Sequence, residues 1–221
     1  MYVSNSLNMP KKIVFMGTPM FAVPILKSLY QNGYPVSCVY TQPPQKSHRG
    51  QKINKSPIQG ISETLNIDYR TPKSLKDNHE EYEFLKELNA DLSVVCAFGQ
   101  IVPKNFLNLT KKGFVNIHAS ILPSWRGAAP IQRSIMNLDS ETGISIMKMN
   151  EELDSGPVSN TYKVKIDKNQ NAQEISEKLS ALAAEKILDN VDDILEDKAK
   201  FIDQDHSKAT YAKKIQKEES Q

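Results

Sequence analysis

The chain has 221 residues but only two cysteines and one tryptophan. Cys38 and Cys96 cannot supply a disulfide framework or a four-thiolate zinc site. Each sits in an apolar run, as a reduced, buried thiol of a cytosolic protein does. No apolar stretch approaches the roughly 18 residues that suggest a membrane span, so no membrane partner is expected. The opening residues 1–10, MYVSNSLNMP, lack arginine and an apolar core. They read as a flexible N-terminal arm, not a targeting signal, and a cytoplasmic location is the default. Acidic residues are missing from the first 62 positions, and Glu63 is the first. That stretch holds Lys11, Lys12, Lys27, Lys46, Arg49, Lys52 and Lys55, although the net charge is only +2. Residues 189–205 lean the other way, with seven acids against Lys198 and Lys200. A one-signed region marks either the approach of a charged partner or a solvated face balanced elsewhere.

Three motifs are absent too. Gly17 is followed by Thr, Pro, Met, Phe and Ala, which is not G-x-G-x-x-G. There is no G-x-x-x-x-G-K-[ST] and no G-x-S-x-G elbow. Dinucleotide and triphosphate binding in their usual forms, and a serine nucleophile on an elbow, are disfavoured.

What is present alternates between strands and helices. The apolar runs at Lys12–Met16, Val36–Thr41, Asp91–Ala97 and Phe114–His118 read as strands. Gly143–Met149 and Val158–Ile166 read as a further pair. Helical spacing places helices after Phe21, stopping near Asn32-Gly33, and over Ile58–Leu65, Ser74–Leu88, Ala129–Met136 and Ala172–Leu195. This order predicts an α/β domain with a mostly parallel sheet. Residues 42–57 lack periodicity and read as a loop long enough to be functional. The polar tail, residues 206–221, reads as a linker.

Residues 116–133, N-I-H-A-S-I-L-P-S-W-R-G-A-A-P-I-Q-R, carry the chemistry. Asn116 and His118 are two apart on a strand, so they share a face. They lie where that strand leaves the sheet, the end at which α/β folds bind ligands. An asparagine donates to an oxyanion without ionising, and a histidine moves protons near neutral pH. Alone, N-x-H is a weak signal, and a turn asparagine with a satisfied core histidine explains it better than a catalytic pair. The long continuation to Arg133 is harder to explain as packing.

That stretch resembles the signature of the 10-formyltetrahydrofolate-dependent formyltransferases. I-V-F-M-G-T-P at 13–19, V-Y-T-Q-P-P at 39–44, A-F-G-Q-I-V-P at 97–103 and E-T-G-I-S-I-M-K-M at 141–149 agree with it. The run A-A-P-I-Q-R is similar to the branch that formylates methionyl-tRNA. The likeness extends over about residues 11–218. It implies a Rossmann-like formyltransferase fold, a mostly parallel twisted sheet flanked by helices. It also implies a catalytic domain over residues 11–205 and a basic tail, without the β-barrel domain that follows in the family.

The resemblance adds a third catalytic residue. Leu153-Asp154-Ser155-Gly156 matches a family motif and aligns Asp154 with its aspartate; read alone it is a turn. It further implies 10-formyltetrahydrofolate as formyl donor, no metal, and a methionyl-tRNA acceptor bound by a monomer. Ser120, Ile121, Leu122 and Pro123, with the loop Phe98, Gly99, Gln100, Ile101 and Val102, are the implied folate-binding residues. Lys46, Arg49, Lys52 and Lys55, on a loop matching a family insertion, are the implied tRNA contacts. The alternatives are a sugar N-formyltransferase acting on a nucleotide-linked amino sugar, a glycinamide ribonucleotide formyltransferase, and a folate- or tRNA-binding form without turnover.

Overall fold

The structure, a computed structural model, describes residues 11–46 and 53–220. The expected arm at residues 1–10, and Arg49 and Lys52, lie outside the described residues. In chain order come β1 (Ile13–Gly17), α1 (Val23–Gln31), β2 (Val36–Tyr40), β3 (Gln45–Lys46), β4 (Ile53–Asn54) and α2 (Pro57–Leu65). Then follow β5 (Tyr69–Arg70), α3 (His79–Leu88), β6 (Leu92–Cys96), β7 (Phe114–His118), β8 (Arg126–Gly127) and α4 (Pro130–Met136). β9 (Glu141–Lys148), β10 (Val158–Lys165), α5 (Ala172–Leu195) and β11 (Tyr211–Ala212) complete the set.

The main sheet has the order β10-β9-β7-β6-β1-β2-β5. From β5 to β7 every neighbouring pair is parallel; β9 and β10 add an antiparallel edge. Alternation along the strands sorts the core. Ile13, Phe15, Val94, Val115 and Ile117 join Leu26 of α1 and Leu179 of α5 on one face. Val14, Met16, Tyr40, Val95 and Phe114 join Leu85 of α3 and Phe106 on the other. Both faces are covered, so the central strands read as unbroken apolar runs.

Three expectations change. The segment 42–57 is not structureless: Gln45 pairs with Asn54 and Lys46 with Ile53 in a short antiparallel ladder. Two-residue strands are too short to show a period of two. The helix expected from Ser74 begins only at His79. The Asn78 side chain caps it, accepting from Glu81 N at 3.2 Å, while Ser74 Oγ accepts from Lys76 N in a turn before it. The tail is not a free linker. β11 pairs in parallel with β8, Ala212 is buried, and Arg133 meets Glu219 at 2.7 Å.

Candidate active site

β1 and β6 are neighbours, but the chain leaves them in opposite directions across the sheet. The carboxyl ends of β1, β6 and β7 therefore line one crevice, the usual ligand position in such sheets. Side chains tie this rim together. Thr18 Oγ1 donates to the Phe98 carbonyl at 2.7 Å, and Gln42 Nε2 donates to the Gly99 carbonyl at 2.9 Å.

Asn116 and His118 project from β7 on the face begun by Phe114, with His118 at its carboxyl end. Asp154 arrives from the turn between β9 and β10. One oxygen of its carboxylate, Oδ2, accepts the Gly127 N–H at 2.8 Å and faces His118 Nδ1 at 3.6 Å. The other, Oδ1, lies 3.5 Å from Asn116 Nδ2. Three residues from two distant segments thus converge. Only the Gly127 contact is short, so the carboxylate keeps acceptor capacity and the Asn116 amide keeps a donor to give.

The histidine is oriented from its far side. His118 Nε2 stands 2.8 Å from the Trp125 carbonyl. A carbonyl can only accept, so Nε2 carries a proton and donates it. In the neutral ring Nδ1 then bears the lone pair, turned toward Asp154. A proton that lands on Nδ1 meets a carboxylate, and the ring then donates at both ends. The Trp125 carbonyl orients the ring, and Asp154 stabilises a proton taken up at Nδ1.

Both partners of the histidine come from unusual backbone. Asp154 has φ +47° and Trp125 φ +61°, in the left-handed region. Such residues cost about 1–3 kcal/mol each and persist where surroundings hold them. Trp125 is held by its own N–H, which donates to Thr210 Oγ1 at 2.8 Å, and by its indole N–H on Asp139 at 2.7 Å. Gly127 sits at φ +114°, where a Cβ would press the Ala212 carbonyl oxygen at 2.9 Å. The tail strand can therefore lie directly against the segment that binds Asp154.

The implied folate residues divide. Phe98 and Val102 are buried and pack with Val14, Met16 and Tyr40. Ile101 is 87% exposed at the rim. Gln100 donates to the Pro72 carbonyl, and its buried Oε1 has no partner among the described residues. Ser120 is buried and donates to the Ser124 carbonyl, while Leu122 N donates to Ser145 Oγ. Leu122 is buried, Ile121 and Pro123 are half-buried, and Gly99 is exposed. A hollow of about 360 Å³ takes in Ile121, Ser124, Trp125, Asp139 and Thr210 but none of Asn116, His118 and Asp154. Among the basic residues, Lys46 lies on β3, whereas Lys55 is engaged by Glu63 at 2.9 Å. That ion pair competes with any phosphate for Lys55. Among the described residues, no helix is long and apolar enough to cross a membrane.

Sequence reasoning missed Gly127, Trp125, Gln204 and Thr210. The first two act through backbone atoms, which leave no residue-type signal. The last two sit in polar sequence that looks like solvent-exposed chain.

The formyl transferase family model matches residues 11–191. A methionyl-tRNA formyltransferase of Pelagibacter ubique is 66% identical over 96% of this chain and 69% of its own length. One from Coxiella burnetii is 47% identical over 96% of this chain and 67% of its own. Among solved structures, an N-formyltransferase from Helicobacter canadensis, in complex with folinic acid and dTDP-3-aminofucose, superposes with TM-score 0.70 at 19% identity. That match covers 96% of this chain and 72% of the other, and at that identity it speaks for the fold alone.

Proposed function

The chain belongs to the formyl transferase family, in the branch of the methionyl-tRNA formyltransferases, and on that premise we propose how its residues move a formyl group from 10-formyltetrahydrofolate to the α-amino group of methionyl-tRNA. The observation that carries the proposal is the convergence of Asn116, His118 and Asp154 at one strand end.

The donor supplies a formyl carbon bound to nitrogen N10. The substrate amine attacks it, a new N–C bond forms, and the C–N10 bond breaks. The amine loses one proton and N10 gains one. Asn116 donates its amide N–H to the oxygen that becomes negative, a contact worth about 3–4 kcal/mol in comparable sites. His118 Nδ1 takes the amine proton and passes it to the departing nitrogen. Asp154 holds the charged ring while the Trp125 carbonyl fixes its tilt. No protein nucleophile is required, which suits thiols that are both buried.

The rim fits a flat heteroaromatic donor. Exposed Ile101 and half-buried Ile121 offer apolar surface to such a ring. Gly99 and Ser120 to Pro123 supply backbone groups there. Lys46, Arg49 and Lys52 supply charge toward tRNA phosphates, with Lys55 first having to leave Glu63. The donor offered with methionyl-tRNA, a nucleotide-linked amino sugar and glycinamide ribonucleotide in parallel tests the reading. Formyl on methionyl-tRNA is expected. Preferential transfer to either small amine would overturn the assignment of the acceptor.

A further inference from the structure

Gln204 lies in polar sequence fifty residues beyond Asp154, yet it is buried. Its amide is saturated. Nε2 donates to the carbonyls of Asp154 at 2.9 Å and Gly156 at 2.7 Å. Oε1 accepts from Arg126 Nε at 3.1 Å and Nη2 at 2.8 Å. Arg126 is itself buried, and its Nη2 also meets His206 Nδ1 at 3.1 Å.

The two ends of this amide grip the two sides of one contact. On one side is the left-handed turn that presents the Asp154 carboxylate. On the other is Arg126, next in sequence to the Gly127 whose N–H holds that carboxylate. Only a neutral amide serves both, because it pairs two donors with an oxygen of two lone pairs. An ionised carboxylate keeps the Arg126 bonds but has no hydrogen for the two carbonyls. An aliphatic side chain has neither.

We infer that Gln204 is a positioning residue for formyl transfer, clamping the Asp154 turn against the Arg126-Gly127 segment so that the carboxylate faces His118 and Asn116. The inference rests on the proposed activity. The catalytic residues are unchanged by it; Gln204 acts through Asp154. A shift of about 1 Å at such a group costs on the order of a hundredfold in rate.

The test is Gln204→Glu in the full chain. It leaves buried Arg126 paired with a carboxylate, which offsets part of the cost of the change, and a thermal melt shows whether the variant is folded. It loses both carbonyl contacts and sets carboxylate oxygen against carbonyl oxygen. The expected result is at least about a tenfold loss of kcat with KM for the folate donor within about twofold. In an Asp154→Asn background the same change should cost little more, since residues acting as one unit are non-additive. A second readout is independent of catalysis: amide exchange at Gly127 should quicken while exchange within β9 stays as it was. If Gln204→Glu does not fold, Arg126→Met with Gln204→Met removes donor and acceptor together, and the same readouts apply. Unchanged kcat and unchanged Gly127 exchange in a folded variant overturn the inference. A loss that multiplies undiminished onto Asp154→Asn overturns it as well. No turnover by the unaltered chain contradicts the proposed activity instead, and the Gly127 exchange then decides the role of Gln204 alone.

Discussion

Gly156→Ala is a small change with a large expected effect. A Cβ at this position would lie 3.0 Å from the Lys148 carbonyl carbon and closer still to its oxygen. Carbon atoms in good contact sit about 3.5–4.0 Å apart. The obstacle is backbone at the end of β9, where Lys148 N–H is bound to the Pro157 carbonyl at 2.9 Å. It cannot swing aside like a side-chain tip. The nearer carbonyl oxygen sets the shift, so the turn must move by more than about 1 Å, and the Gln204 bond to the Gly156 carbonyl is strained with it. Overpacking of this kind costs about 1–3 kcal/mol. In a chain of this size each kcal/mol lowers Tm by about 2–4 °C. Asp154 is two residues away, so kcat should fall on the order of a hundredfold from misplacement of its carboxylate. Thermal melting and steady-state formyl transfer on the purified variant check both numbers. A variant with unchanged Tm and unchanged kcat would refute the claim that the close approach of this turn to β9 sets the position of Asp154.

Arg49→Ala should raise the methionyl-tRNA concentration needed for half-maximal rate and reduce the salt slope of log KM by about one, read from KM at several salt concentrations. Lys55→Ala should change that slope less than Arg49→Ala, because Glu63 already occupies the lysine; an equal or larger change would show that the pair opens for tRNA. Burial pushes the Cys38 thiol up from about 9 to about 12 and raises Cys96 as well. Neither should react with a thiol reagent at pH 8 in the folded chain, and both should react in denaturant. For Cys38 the neutral thiol is the form the fold favours. Its contribution is therefore complete below pH 9 and is lost as pH climbs toward 12. Urea melts should show stability falling over that window, less steeply in Cys38→Ala.

The long or strongly patterned elements were legible. α5 spans the expected Ala172–Leu195 and β7 the expected Phe114–His118, because amphipathic spacing and an apolar run persist through them. β5, β8 and β11 were not, since two residues cannot display a period. Asn116 and His118 could be placed on one face from strand spacing alone. Asp154 could not: an Asp-Ser-Gly turn is ordinary sequence, and only its likeness to a family motif singled it out. The groups that orient the site were hidden for different reasons. The Trp125 carbonyl and Gly127 N–H are backbone atoms. Gln204 and Thr210 are polar residues in polar sequence, and nothing local shows that the first is buried or that the second holds the Trp125 N–H. Phe98 stands beside the rim and packs with the core behind it, and its apolar type alone does not tell those two places apart.

Formyl transfer by this chain requires Asn116, His118 and Asp154 to work as one centre. The most direct test is the rate of formyl transfer to methionyl-tRNA by the chain and by Asn116→Ala, alongside folate-donor affinity. Loss of one oxyanion donor predicts a fall of about 10²–10³ in kcat with donor affinity largely kept. An Asn116→Ala variant that transfers formyl at the parent rate would contradict the account.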